Sequence, residues 1–561
     1  MRGTFSRVGR RVVLLLLVVA GAAASARGEE LTPDQAAMMV LDSARRAYNE
    51  GKYDFAVQRF REFLAKSGGH KEAPWAHYGL ALALLEAPQR DYRAIIQSLQ
   101  PIVGLGDFPD RPLALYYMGV AQRGTGYQAL AQAAANPNEA AGHLNAAKQQ
   151  FVQAAQQFAA AADAFAARAK AVPDAEAARR KSDLDWAACA RCDQSEALLR
   201  TEKFKEAADL AGALLADAAT QEGRYRDLAT YLLGYAKFAL KEYVEAGRAL
   251  SSLAPFKQDF GGHAIFLLAR THHLAGERPE AAAQYKAALA DYEARKKAAQ
   301  AALGNPQALR PQQREFLQAL VHRPPDYLVR AVFYAALLQA EEGRFADAVA
   351  GFATIVDQHP KSPLVAEARL RRGYCQMQLK DFPKAIADLT PLREHPELAD
   401  RALWWLARSQ VGAADPKNEA AYKQVLATAV ETLRRAAERA GARTGADPDA
   451  RVRRADILME LADTQRLAGQ YAEAAATYHQ VSGDKNAPDR AEEATQRQVT
   501  ALHLAGQYAE SDRLCRTFEQ TYPKSTLLPG VLFRYAENAY LAATKAADAP
   551  EAAARQAEAN R

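Results

Sequence analysis

The sequence predicts an all-α protein, a solenoid of stacked helix hairpins. Three observations carry this. Apolar residues recur at three- and four-residue steps along most of the 561 residues. Alanine dominates while β-branched residues and glycines are sparse, which is helical composition. One hairpin pattern also returns at near-constant spacing, the mark of a repeat architecture.

The pattern is clearest at residues 328–363. Its apolar stripe breaks at Glu342-Gly343, resumes, and stops at Pro360. This spells two amphipathic helices around a tight turn. Ala336 lets the helices approach, Gly343 supplies the turn, Phe345 packs behind it, and Ala348 is the second close contact. Phe352 and Ile355 face inward, and Ser362 is placed to cap the next helix. A single pair this small cannot bury its own apolar face, so it must stack on others.

Taken in order, the chain opens with a separate object. Arg2, Arg7, Arg10 and Arg11 precede the run VVLLLLVVA, and small residues stand at Ala24 and Ala26. This reads as a secretory signal over residues 1–26, cleaved after Ala26; the alternative is an uncleaved anchor helix. No later stretch reaches spanning length, so no integral membrane segment is expected after cleavage. The formal charge is +6, and removing the four signal arginines leaves about +2. Such a balance gives no support for nucleic-acid binding.

The hairpin pattern then recurs. Its turn residues are Gly51, Arg90, Glu202, Lys241, Gly276, Gly343, Lys380, Gly469 and Gly506, 35 to 39 residues apart where the array is uninterrupted. A small residue precedes most of them (Ala44, Ala83, Gly234, Ala269, Ala336, Gly373), and an alanine follows (Ala56, Ala207, Ala246, Ala281, Ala348, Ala385, Ala474). Nine turns in phase do not arise from helical composition alone.

Between them, residues 127–172 form an extended alanine-rich hairpin with Phe151, Phe158 and Phe165 spaced by seven as a packing seam. Residues 280–300 make another lengthened helix. Gly304, Pro306, Pro311, Pro324 and Pro325 mark a linker over 301–327. The predicted organisation is thus an N-terminal array over 27–300, this linker, a C-terminal array over 328–545 with a break at 441–450, and a polar helical tail over 546–561.

Reactive constellations are absent from the sequence. There is no G-x-S-x-G, H-E-x-x-H or phosphate loop. Arg123-Gly-Thr-Gly126 reads as a short glycine turn without a following Lys-Ser/Thr. His272 and His273 point about 100° apart on a helix, a poor metal pair. Cys189 and Cys192 form a C-x-x-C inside a helical run, where small core or surface residues are expected rather than redox or zinc chemistry. No catalytic residue, cofactor or metal is therefore expected, and function falls to the surface.

The phased small, turn and alanine positions resemble tetratricopeptide repeats, over roughly residues 36–545 with gaps. Departures are Gln339 and Gln376 at an aromatic position, Val499 at a small one, and a closing proline only at Pro360 and Pro523. The shared Pro-Lys-Ser junctions at 360–362 and 523–525 are similar to bacterial envelope members of that family, the Tol–Pal division coordinator and the outer-membrane assembly lipoprotein.

The resemblance implies a right-handed superhelix whose first helices line a concave face that binds a peptide or partner helix. Counted from the turns, that groove would use Tyr231, Tyr235, Phe238, Phe266, Arg270, His273, Phe333, Leu337 and Tyr374. The expectation is a non-enzymatic scaffold for other proteins, exported to the periplasm or envelope of a bacterium. The competing reading is the superhelical accessory part of a peptidoglycan-processing or envelope-assembly enzyme complex. A third is a self-associating structural protein.

Overall fold

The structure, a computed structural model, describes residues 32–217, 223–309, 311–322, 324–485, 487–545 and 557–558. The signal read over 1–26 and most of the tail read over 546–561 lie outside these residues. Two compact units meet at the Pro324-Pro325 bond. Among the described residues all regular structure is helical, without strands.

The first unit holds α1 (Pro33–Asn49), α2 (Tyr53–Ser67), α3 (Ala73–Glu86), α4 (Tyr92–Val103), α5 (Arg111–Ala135), α6 (Ala140–Ala171), α7 (Ala177–Arg200), α8 (Phe204–Ala216), α9 (Arg226–Ala239), α10 (Tyr243–Ser251), α11 (Gly261–Ala275), α12 (Arg278–Leu303) and α13 (Pro311–His322). The second holds α14 (Asp326–Glu341), α15 (Phe345–Gln358), α16 (Val365–Gln378), α17 (Phe382–Leu389), α18 (Ala399–Ala413), α19 (Glu419–Arg443), α20 (Asp449–Leu467), α21 (Tyr471–Ser482), α22 (Ala491–Leu504), α23 (Tyr508–Thr521) and α24 (Leu528–Lys545). Within each unit every helix packs on its neighbours in sequence. First helices of successive hairpins also touch, as α7 does α9 and α16 does α18.

One turn geometry explains the regularity. Eight of the nine turn residues have positive φ: Gly51, Gly276, Gly343, Gly469 and Gly506, and the non-glycines Glu202, Lys241 and Lys380. In each case the next amide donates to the carbonyl five residues back, at 2.8–3.0 Å. That is a Schellman cap, which satisfies an orphan helix-end carbonyl and reverses the chain. Arg90 departs because α3 ends on Ala87 in extended backbone, ahead of Pro88, and Asp91 then opens α4 by accepting the Ala94 amide at 3.0 Å.

A side chain in the left-handed region costs about 1 kcal/mol. Lys380→Gly is therefore expected to raise stability by about 0.5–1 kcal/mol, and Gly343→Ala to lower it by about 1 kcal/mol. Urea midpoints test this; shifts of the same sign would contradict it.

Packing follows the predicted register. Ala44, Ala269, Ala336, Ala56, Ala246, Ala281, Ala348, Ala385 and Ala474 are all buried. A Cβ added at Gly234 would lie 2.7 Å from Leu250 Cγ, and one at Gly373 2.8 Å from Leu389 Cγ, so the same inter-helix contact recurs in both units. Phe151, Phe158 and Phe165 are buried in a seam against Tyr127, Tyr116 and Trp186.

One local expectation is corrected, and two stretches gain detail. The 301–327 stretch contains α13, whose Leu320 carbonyl accepts from the Tyr292 hydroxyl at 3.3 Å. Arg123-Gly-Thr-Gly126 is not a turn but the interior of α5. Its glycines admit aromatic rings: a Cβ at Gly124 would lie 2.4 Å from the Tyr92 ring, and one at Gly126 3.0 Å from Phe151. Neither tryptophan of the Trp404-Trp405 pair stands free. Trp404 Nε1 donates to Glu460 Oε2 at 2.7 Å, and Trp405 packs on Tyr374 with ring centroids 4.7 Å apart.

Candidate partner-binding face

The predicted groove residues sit on the first helices, yet at different depths. Tyr231, Phe266 and Phe333 are buried, so they form the floor beneath the face and lie out of a partner's reach. Tyr231 stacks on Phe260 (centroids 4.7 Å apart), and its hydroxyl lies 2.7 Å from His263 Nδ1. Phe333 packs edge-on to Phe352 at 5.5 Å. Leu337 and Tyr374 are half-buried, and Tyr374 belongs to two adjoining apolar clusters, so it joins neighbouring hairpins.

What remains within reach is a short strip on α9 and α11. Tyr235, Phe238, His263, Arg270 and His273 are each half-buried. The Tyr235 and His263 rings lie 5.7 Å apart. His273 Nδ1 is 3.2 Å from Arg270 Nη1 and 3.0 Å from the Tyr285 hydroxyl. A guanidinium can only donate, so this imidazole nitrogen accepts and the ring's outer nitrogen carries the proton. The strip thus offers aromatic faces beside N–H donors. Sequence reasoning missed Tyr285 of α12, whose hydroxyl organises the pair.

In the second unit ion pairs link one first helix to the next. Arg401 meets Glu367 at 3.4 Å between α18 and α16. Between α20 and α18, Arg453 Nε donates to Asp400 at 2.7 Å and Glu460 takes Arg408 Nε at 2.8 Å. Between α22 and α20, Arg490 Nε donates to Asp456 at 2.8 Å, and Arg497 pairs with Asp463. The half-exposed pairs among these contribute little each, about 0.2–1 kcal/mol, whereas Asp400, which Arg453 meets, is fully buried. The effect of these pairs is to spend the charges of this face on neighbouring hairpins. A concavity of about 600 Å³ lies elsewhere in this unit, between α19, α20 and α21, with a floor of Leu458 and Leu461 and a charge-balanced rim of Arg434, Glu438, Arg454 and Glu473.

The C-x-x-C pair is inert by position. Cys189 and Cys192 are both buried, unpaired thiols, and burial pushes the Cys189 thiol up to about 12. A thiol held protonated is a poor nucleophile. Among the described residues no three His, Cys, Asp or Glu side chains gather as metal ligands would, and no helix is long and apolar enough to cross a membrane.

Comparison with known proteins adds little beyond this geometry. No family model and no curated protein matches the chain. Three solved structures align loosely. Yeast Tom70 is 14% identical over 88% of this chain and all of its own, with a TM-score of 0.26. A Rap protein complexed with competence and sporulation factor is 14% identical over 78% of this chain and 99% of its own, at 0.31. A tetratricopeptide repeat protein from Parabacteroides merdae is 11% identical over 67% and 99%, at 0.28. At these scores the fold reading rests on the chain's own phased hairpins.

Proposed function

We propose that the protein is a non-enzymatic scaffold of tetratricopeptide-like hairpins, exported to a bacterial envelope, which holds a partner peptide or helix on its first-helix face. The observation that carries this is the α9–α11 strip. There Tyr235, Phe238, His263, Arg270 and His273 stand part-exposed above a buried floor of Tyr231 and Phe266. Rigid aromatics beside donors suit an extended or helical segment bearing a carboxylate. Because the hairpins fix the surface in advance, the partner bears most of the ordering entropy.

The test is Arg270→Glu combined with Tyr235→Ala. Loss of an aromatic and an arginine anchor is expected to weaken partner capture from native envelope extracts at least about tenfold. Helicity and melting temperature should stay close to those of the parent protein. Unchanged capture by the folded variant would place the binding surface elsewhere.

A further inference from the structure

Among the described residues, the outward face of α24 lacks the cover that its counterparts have. Phe333, Leu370 and Met459 each stand ten residues before a left-handed turn residue, and each is buried. Each shares an apolar cluster with the next first helix: Phe333 with Ala368 and Cys375 of α16, Leu370 with Ala402 and Leu406 of α18, Met459 with Ala494 and Ala501 of α22. In α24 the buried Val531 and Ala539 occupy the places of Ala494 and Leu502 in α22. That register puts Phe533 at the covered position, yet Phe533 is 63% exposed and Tyr540 53%. At about 100° per residue the two rings lie within roughly 20° on the helix surface.

The same register identifies what fits there. Glu537 takes the place of Asp463; it already pairs with Arg534 of its own helix, as Asp463 already accepts from the Tyr478 hydroxyl while receiving Arg497 from the covering helix α22. Residues 557–558, the ones described beyond Lys545, do not fill the site. Glu558 lies 3.5 Å from Arg516 Nη2 of α23 and against the Tyr535 hydroxyl, roughly 160° around α24 from Phe533. A second copy fits poorly. A two-fold pairing that set Phe533 against Tyr540 would bring two Glu537 carboxylates together at the axis. A head-to-tail pairing with α1 would offer Asp42 where α22 offers Arg497.

We propose that this face docks an amphipathic helix of a partner protein, aligned with α24 as α22 is with α20. The helix presents small or apolar residues to Phe533 and Tyr540 and an arginine or lysine to Glu537. Such a contact buries well under the ~1,200 Å² of a standard interface, so its affinity is expected on the order of 10–100 µM.

The probe is a fluorescent peptide of residues 491–504, the α22 sequence, stapled on its solvent side to stay helical and titrated into the purified protein by anisotropy. Saturable binding is expected, weakened at least tenfold by Phe533→Glu with Tyr540→Ala and at least fivefold by Arg497→Glu in the peptide. Far-UV circular dichroism confirms that the variant is folded. No binding at millimolar peptide, or equal binding to the variant, overturns the proposal. So does a concentration-dependent dimer in sedimentation that Phe533→Glu alone makes monomeric, which would assign the face to a second copy.

Discussion

Arg123→Met is expected to destabilise the first unit by about 3–5 kcal/mol, because it strips a buried cation from two buried carboxylates. Arg123 Nη1 donates to Asp193 Oδ1 at 2.8 Å and to Glu196 Oε2 at 2.9 Å. The Tyr116 hydroxyl donates to Asp193 Oδ2 and the Tyr127 hydroxyl to Glu196 Oε1, both at 2.8 Å. Arg123, Asp193, Glu196 and Tyr116 are all buried, and the guanidinium sits 5.2 Å over the Phe158 ring. Methionine keeps much of the volume but none of the charge, so the cost is electrostatic rather than a cavity. Urea unfolding followed by circular dichroism measures it.

The pH dependence of that variant separates this cause from poor packing. Burial raises the Asp193 carboxyl above the usual aspartate range, while the Arg123 charge holds it down. Without Arg123 it rises further. An acid whose folded pKa exceeds its unfolded one binds more protons when folded, so stability falls as pH rises through that interval. Arg123→Met should therefore regain stability as pH drops from the raised folded value toward about 4, the unfolded aspartate pKa. A deficit that stays constant or grows over that window would point to packing instead.

This network also shows where sequence reading stops. The hairpin register was legible because each turn needs a left-handed residue, a small residue ahead and an alanine behind, all within one local segment. Even Glu202, Lys241 and Lys380 could be placed by spacing, although no glycine announces their positive φ. Arg123 could not, since its partners lie 70 and 73 residues away on α7 and its flanking glycines mimic a turn. Depth on the candidate face was equally hidden. Period alone puts Tyr231 and Tyr235 on one side of α9; contacts from beyond the helix, with Phe260 and His263, bury Tyr231 and leave Tyr235 part-exposed. Likewise Trp404 is held by Glu460, 56 residues on.

Phe352→Ala should cost the second unit about 3–5 kcal/mol, the usual range for a buried aromatic reduced to a methyl. Phe352 is fully buried on α15 and meets Phe333 edge-on, within a cluster that includes Ala336, Ile355, Ala368 and Cys375. Collapse into the void is resisted from α14. A Cβ at Gly351 would already lie 2.7 Å from Ala336 Cβ, so those two helices are at their closest approach and cannot move further together. In an array where each hairpin contacts mainly its neighbours, such a loss stays local. Amide exchange should therefore quicken across α14, α15 and α16 while α22, α23 and α24 keep their protection. Phe345→Ala, at a half-buried site on the same helix, should cost markedly less. Uniform quickening through α24 would mean that the second unit opens as one body, and the nearest-neighbour account of its stability would fail.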